Sequence, residues 1–235
     1  AAQVDFSGYD ASIASFLSVL QGRFQEGVTP SNRRLRSDTS SDVFVFLTGH
    51  GGDGFLKFQD TEYLHSEDLG LALSVMYELG MYRRVLLLVE TCHAESMCQH
   101  IHAPNVVCVA SSKREDESFA HHFDPDLGVA VIDAFVFSIL ERLNGVTCRQ
   151  QTALSTSNYE KSVGAFVRGL SVVPAGVDTT EISGFPGFIR SAVNDPLAIE
   201  TWRLGDFLCG VDRSFAAEQH AALRPIRNVD PLSMF

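Results

Sequence analysis

The sequence predicts an α/β fold, a mostly parallel β-sheet with helices packed on both faces. Three observations carry this. Short uninterrupted apolar runs at residues 43–47, 85–89 and 106–110 are rich in β-formers, as strands buried on both faces require. Stretches of helical period alternate with them. Each run also stops abruptly at a cluster of small or polar residues.

Residues 9–21 read as an amphipathic helix, with Ile13, Phe16, Leu17 and Leu20 at helical spacing. The Ser- and Arg-rich stretch 29–42 reads as a surface loop. Val43-Phe44-Val45-Phe46-Leu47 is the first buried strand, halted by Thr48-Gly49-His50-Gly51-Gly52. Residues 66–79 are the next helix, with Ser66 as its N-cap and Glu67 and Asp68 in the first turn, where carboxylates suit the helix dipole. After Gly80, Val85-Leu86-Leu87-Leu88-Val89 ends at Glu90-Thr91-Cys92, and Val106-Val107-Cys108-Val109-Ala110 ends at Ser111-Ser112. Residues 128–142 read as a further helix. The last third is less patterned: 150–163 polar and loop-rich, 163–170 a helix, a short strand near Phe207, and a loose tail after Val211.

The 235 residues, 45% hydrophobic and 20% charged, suit one sizeable core. A net charge of −11 without a Lys/Arg run disfavours a nucleic-acid partner. The longest apolar stretch, 127–140, is interrupted by Asp133 and reads as a buried helix, well short of the roughly 18 residues that suggest a membrane span. The chain opens with Ala-Ala-Gln and shows neither the basic nor the apolar region of a signal peptide. Five cysteines without a CxxC pair imply no disulfide framework, and Cys98, Cys108, Cys148 and Cys209 read as structural.

In open α/β sheets, functional groups collect at the carboxyl ends of the strands. His50 follows one buried strand, Cys92 a second and Ser111-Ser112 a third. If the first two strands are neighbours, His50 faces Cys92 across a cleft, as a Cys/His dyad requires, with the thiolate as nucleophile. Glycines around His50 allow close backbone approach, so the N–H groups of Gly51 and Cys92 are candidates for an oxyanion hole. The loop lacks the Gly-Lys-Ser/Thr ending of a phosphate-binding loop. His93, His100, His102, His121 and His122 fall at no zinc-binding spacing, so no metal or other cofactor is expected.

These residues resemble the clan of legumain-like and caspase-like cysteine peptidases, and within its C13-type family the catalytic subunits of glycosylphosphatidylinositol (GPI) transamidases. The resemblance rests on Val4-Asp5-Phe6-Ser7-Gly8-Tyr9, on the segment from Thr48 through Phe55-Leu56-Lys57-Phe58-Gln59-Asp60, and on Glu90-Thr91-Cys92-His93-Ala94-Glu95-Ser96-Met97. Ala110-Ser111-Ser112 and Gly128-Val129 with Asp133 also fit, with a weaker echo at Asp206-Phe207-Leu208-Cys209-Gly210. It covers most of residues 4–145 and thins to about 213.

The resemblance implies a caspase-like sandwich and a mechanism. Cys92 attacks the attachment residue of a proprotein bearing a C-terminal GPI signal, and the ethanolamine amine of a GPI lipid resolves the thioester, with His50 moving the proton. It implies that Glu90, Ser111, Ser112 and Asp133 bind substrate. It also implies other subunits of a membrane complex, at the endoplasmic reticulum membrane on its lumenal side. The alternatives are a legumain-like endopeptidase, or an inactive truncated paralogue with an assembly role. Two departures stand out: His93 where these transamidases typically carry Gln, and Glu95 beside a site of small residues. The family's N-terminal strand–helix–strand has no counterpart before Val4. Residues 1–213 are therefore expected to form an incomplete caspase-like domain within a longer gene product, with 214–235 as a tail, and the first strand to leave an open hydrophobic edge.

Overall fold

The computed structural model describes residues 4–23, 33–59, 61–143, 162–167, 170, 189–191 and 198–208. The chain enters through a short 3-10 turn, Gly8–Asp10, and helix α1 (Ile13–Leu20). The Ser12 hydroxyl accepts the Ser15 N–H at 3.1 Å and so satisfies one of the donors left open at a helix start. Next come β1 (Asp42–Thr48), β2 (Gly51–Gly52), β3 (Phe55–Phe58), β4 (Glu62–His65), α2 (Ser66–Glu78) and β5 (Arg84–Glu90). A 3-10 helix at Ala94–Cys98 leads to β6 (Val106–Ala110), β7 (Ala120–Asp124), β8 (Val129–Asp133) and α3 (Ala134–Leu143). The described part of the last third holds α4 (Val163–Val167), β9 (Ile189–Ser191), α5 (Ala198–Thr201) and α6 (Leu204–Leu208).

The three expected strands make one sheet in the order β1-β5-β6-β9, parallel except for β9. Side chains alternate across it. Val85, Leu87 and Val89 join Leu69, Leu73 and Met76 in one core, while Leu86 and Leu88 join Phe135, Phe166 and Leu204 in the other. Burial from both sides is why β5 and β6 read as continuous apolar runs. Among the described residues β1 is an edge strand, and its Phe46 remains 38% exposed. At the sheet's lower end Arg84 pairs with Asp42 and Asp206 while its guanidinium lies 5.3 Å from the Trp202 ring centre and 5.1 Å from that of Phe207, tying α6 beneath β1 and β5. Burial alone would raise the Asp42 pKa, but hydrogen bonds from Arg84 and Arg83 outweigh it and hold the carboxyl below its usual range.

Several expectations are corrected. Residues 129–133 are not helical: they form the second strand of the β7–β8 hairpin, and the helix starts at Ala134. Gly128, at φ +71°, makes the turn, and the Asp133 carboxylate accepts the Phe135 N–H at 2.7 Å, so the strand ends where the helix starts. The apolar stretch 127–140 is accordingly split, and Leu127, Val129 and Val131 are exposed. Phe207 lies on a helix, because Leu204 and Phe207 bury one face three residues apart. Ser66 is the first helical residue, with His65 at the cap position; the Ser66 hydroxyl, fully buried, meets His100 Nδ1 at 2.8 Å. Cys98 and Cys108 are joined by a disulfide that fastens the 3-10 helix to β6. Two cysteines far apart in structural type carry no local signal of pairing. Cys148, Cys209, most of 150–163 and the 214–235 tail lie outside the described residues.

Candidate active site

Parallel pairing of β1 with β5 sets Thr48 opposite Glu90. His50 and Cys92 therefore each lie two residues beyond a matched strand end, in the loops that leave two neighbouring strands. The Gly49 N–H donates to the Glu90 carbonyl at 3.2 Å, carrying the pairing one residue past the strand. His50 is exposed, whereas Cys92 is half-buried and is the free thiol among the described cysteines.

The loop after His50 is shaped by its glycines. A methyl group on Gly51 would lie 2.4 Å from Thr91 Oγ1 and 2.6 Å from the Phe55 carbonyl oxygen, so only glycine lets this strand press against the residue before Cys92. Gly51 and Gly52 pair with Leu56 and Phe55. The Lys57 N–H donates to the His50 carbonyl at 2.8 Å, which makes 50 and 57 the hydrogen-bonded pair. Pairs alternate in an antiparallel ladder, so the Gly51 N–H points out of the β2–β3 ladder and is available to another acceptor.

Ser96 locks this loop to the nucleophile's. Its buried hydroxyl accepts the Gly54 N–H at 2.7 Å and contacts the His93 and Gly52 carbonyls at 2.6 and 3.3 Å. His93 is left-handed at φ +56°, uncommon for a non-glycine residue, and its N–H donates to the Asp116 carbonyl. Behind Cys92, the hydroxyls of Ser111, Ser112 and Ser118 converge on the Thr91 carbonyl at 3.2, 3.0 and 2.9 Å. Ser112 Oγ also accepts the Ala94 N–H at 3.0 Å, and Ser111 Oγ the Thr91 N–H at 3.2 Å. Both serines are buried; their hydroxyls bond main chain, and that of Ser111 also meets the Ser118 hydroxyl at 3.0 Å.

Glu90 and Asp133 form a carboxyl pair beneath the site. Glu90 is buried and accepts a hydrogen bond from the Thr48 hydroxyl. Burial, followed by repulsion from Glu90, pushes the Asp133 pKa up to about 6 against the pull of two backbone N–H groups. The structure thus brings His50, Gly51, Glu90, Cys92, Ser111, Ser112 and Asp133 to one end of the sheet. Sequence reasoning gave no role to Thr48, Ser96 or Ser118, because those roles depend on hydrogen bonds across the fold; Thr48 and Ser96 stand in the segments that carry the family resemblance, and Ser118 has no local signal. Among the described residues no three His, Cys, Asp or Glu gather as a metal site, and no helix is long and apolar enough to cross a membrane.

Comparison with known proteins bears on this arrangement. Residues 1–163 match the Peptidase C13 family. A GPI-anchor transamidase of Schizosaccharomyces pombe is 43% identical over 141 residues, which cover 60% of this chain and 37% of that protein. The Saccharomyces cerevisiae GPI-anchor transamidase is 37% identical over 163 residues, 68% of this chain and 39% of its own. The human protein of that name is 37% identical over 153 residues, 65% of this chain and 38% of its own. The chain thus spans about two fifths of the length of these curated relatives.

Proposed function

This chain belongs to the peptidase C13 family, and on that premise we propose that it carries the catalytic centre of a GPI-anchor transamidase. The observation that supports the reading is the Thr48–Glu90 register: His50 and Cys92 follow, each by two residues, the paired ends of two adjacent parallel strands. The names of the relatives supply the reaction class.

In this reading His50 takes the Cys92 proton, and the thiolate attacks the carbonyl carbon of the attachment residue in a proprotein bearing a C-terminal GPI signal. The N–H groups of Gly51 and Cys92 hold the developing oxyanion. The C–N bond to the signal peptide then breaks, His50 returns the proton to the departing amine, and a thioester remains. The ethanolamine amine of a GPI lipid attacks the thioester, loses a proton to His50, and expels the Cys92 thiolate as the new amide forms. Glu90 and Asp133 make the acidic wall of the substrate site. Ser111 and Ser112 support substrate binding from behind, by fixing the Thr91–Cys92 main chain.

The Cys98–Cys108 disulfide suits an oxidising compartment, which supports a place on the lumenal side of the endoplasmic reticulum membrane, within a complex of other subunits. We take residues 1–213 as one caspase-like domain and 214–235 as its tail. Full-length enzyme, incubated with a signal-bearing peptide and hydrazine as a small amine acceptor, tests the proposal. Hydrazide product that disappears in Cys92→Ala supports it. Free acid alone points to a legumain-like endopeptidase, and absent turnover to an assembly role.

A further inference from the structure

Charged residues beside the nucleophile form a network that the reaction scheme does not use. The Arg114 guanidinium meets Asp53 bidentately, Nε to Oδ1 at 2.8 Å and the second nitrogen to Oδ2 at 2.9 Å. Asp53 stands in the His50 loop, three residues past the base. Arg114 stands in the loop that follows β6, so the ion pair joins the His50 loop to the loop after β6.

The main chain at Arg114 is itself fastened to the nucleophile loop. The Arg114 N–H donates to Glu95 Oε2 at 3.2 Å, and its carbonyl is in hydrogen-bond contact with His93 Nδ1. The His93 N–H donates to the Asp116 carbonyl at 2.9 Å, and the Glu95 N–H to the Ser112 carbonyl at 3.1 Å. Residues 112–116 thus run alongside 93–95, and Arg114 also reaches the His50 loop. The two unusual residues next to Cys92, His93 and Glu95, are the anchors of this segment. Ser96 joins the same loops from within; the ion pair joins them at the solvent face.

We propose that Asp53 and Arg114 form a charged clamp holding the His50 loop against the nucleophile loop, with Arg114 as its positioning residue. The inference rests on the reading of His50 and Cys92 as the reacting pair. Exposed single ion pairs contribute little, but bidentate geometry is the exception, and short loops anchored at both ends pass the constraint on to what they carry. Both side chains are about half exposed, so the clamp is open to screening by salt.

The test uses the full-length enzyme and the rate of Cys92 alkylation by iodoacetamide, measured against a Cys92→Ala background. Alkylation reports the thiolate and its imidazole whatever the acyl acceptor. At low ionic strength Arg114→Ala is expected to slow alkylation, and kcat with it, by about two- to fivefold while KM stays nearly constant. Raising salt to about 0.5 M should bring the wild-type rate toward that of the variant and leave the variant nearly unchanged. The charge-reversed pair, Asp53→Arg with Arg114→Asp, should recover most of the loss, which a merely structural role for Arg114 would not produce. Equal rates for wild type and Arg114→Ala at low salt overturn the clamp, as does a reversed pair that recovers nothing. If His50→Ala also leaves alkylation unchanged, the dyad itself fails; a His50 effect without an Arg114 effect refutes the clamp alone.

Discussion

Gly51→Ala is the sharpest perturbation of the candidate site, because the consequence follows from distances. The new methyl would sit 2.4 Å from Thr91 Oγ1 and 2.6 Å from the Phe55 carbonyl oxygen, where ordinary van der Waals contact begins at 3.4 Å. The shortfall is 1.0 Å against the Thr91 side chain (3.4 less 2.4) and 0.8 Å against the Phe55 carbonyl (3.4 less 2.6), and the second obstacle is backbone that cannot rotate aside. Overpacking of this kind costs about 1–3 kcal/mol of stability. The catalytic effect should be larger in proportion, since the displaced group is the proposed oxyanion donor. A misplacement of about 1 Å costs on the order of 100-fold, and loss of one such donor about 100- to 1,000-fold in kcat. Turnover of full-length enzyme with a signal-bearing peptide and hydrazine measures this. Alkylation of Cys92 needs no oxyanion hole and should fall far less. Adding Thr91→Ala removes the closer obstacle but leaves the Phe55 carbonyl, so the double variant should regain only part of the rate. A Gly51→Ala enzyme with kcat within threefold of wild type would falsify the oxyanion assignment.

Two further predictions concern stability. Burial and Glu90 raise the Asp133 pKa from 3.8 to about 6, so between those values the unfolded chain has lost a proton that the folded chain keeps. Stability from this group is therefore full below about pH 4 and lost as pH rises through about 6; Asp133→Asn should flatten that part of the melting-temperature profile between these pH values, and an unchanged slope would contradict it. The Cys98–Cys108 bond closes a short loop, with a sequence separation of 10, so replacing both cysteines by alanine should cost about 2–3 kcal/mol, read from urea unfolding curves with the m-value fitted separately for each protein; an unchanged unfolding free energy would refute it.

Much of the sheet was legible because strands buried on both faces leave continuous apolar runs, and those of β5 and β6 matched their structural bounds within a residue. Val129-Ala130-Val131-Ile132 shows the limit. A short apolar run has no period that separates helix from strand, and only pairing with β7 decides for strand. Phe207 erred in the other direction, since one aromatic in a short segment says nothing of its partner Leu204.

By itself the sequence determined that His50 and Cys92 follow separate buried strands, and that glycines surround the histidine. These are local properties, set by side-chain burial and by backbone freedom. Tertiary structure alone decided that Thr48 stands opposite Glu90, that Asp133 meets Glu90 from a different sheet, and that three serine hydroxyls converge on one carbonyl. It also decided that Arg114 reaches Asp53 and that Cys98 joins Cys108. Such contacts depend on strand order and register, which crossovers fix between separate segments: Thr48 and Glu90 lie 42 residues apart, and Asp53 and Arg114 lie 61 apart. Even Cys98 and Cys108, 10 apart, sit on a 3-10 helix and a strand that only the fold brings together, so no periodic pattern along the chain announces such pairs.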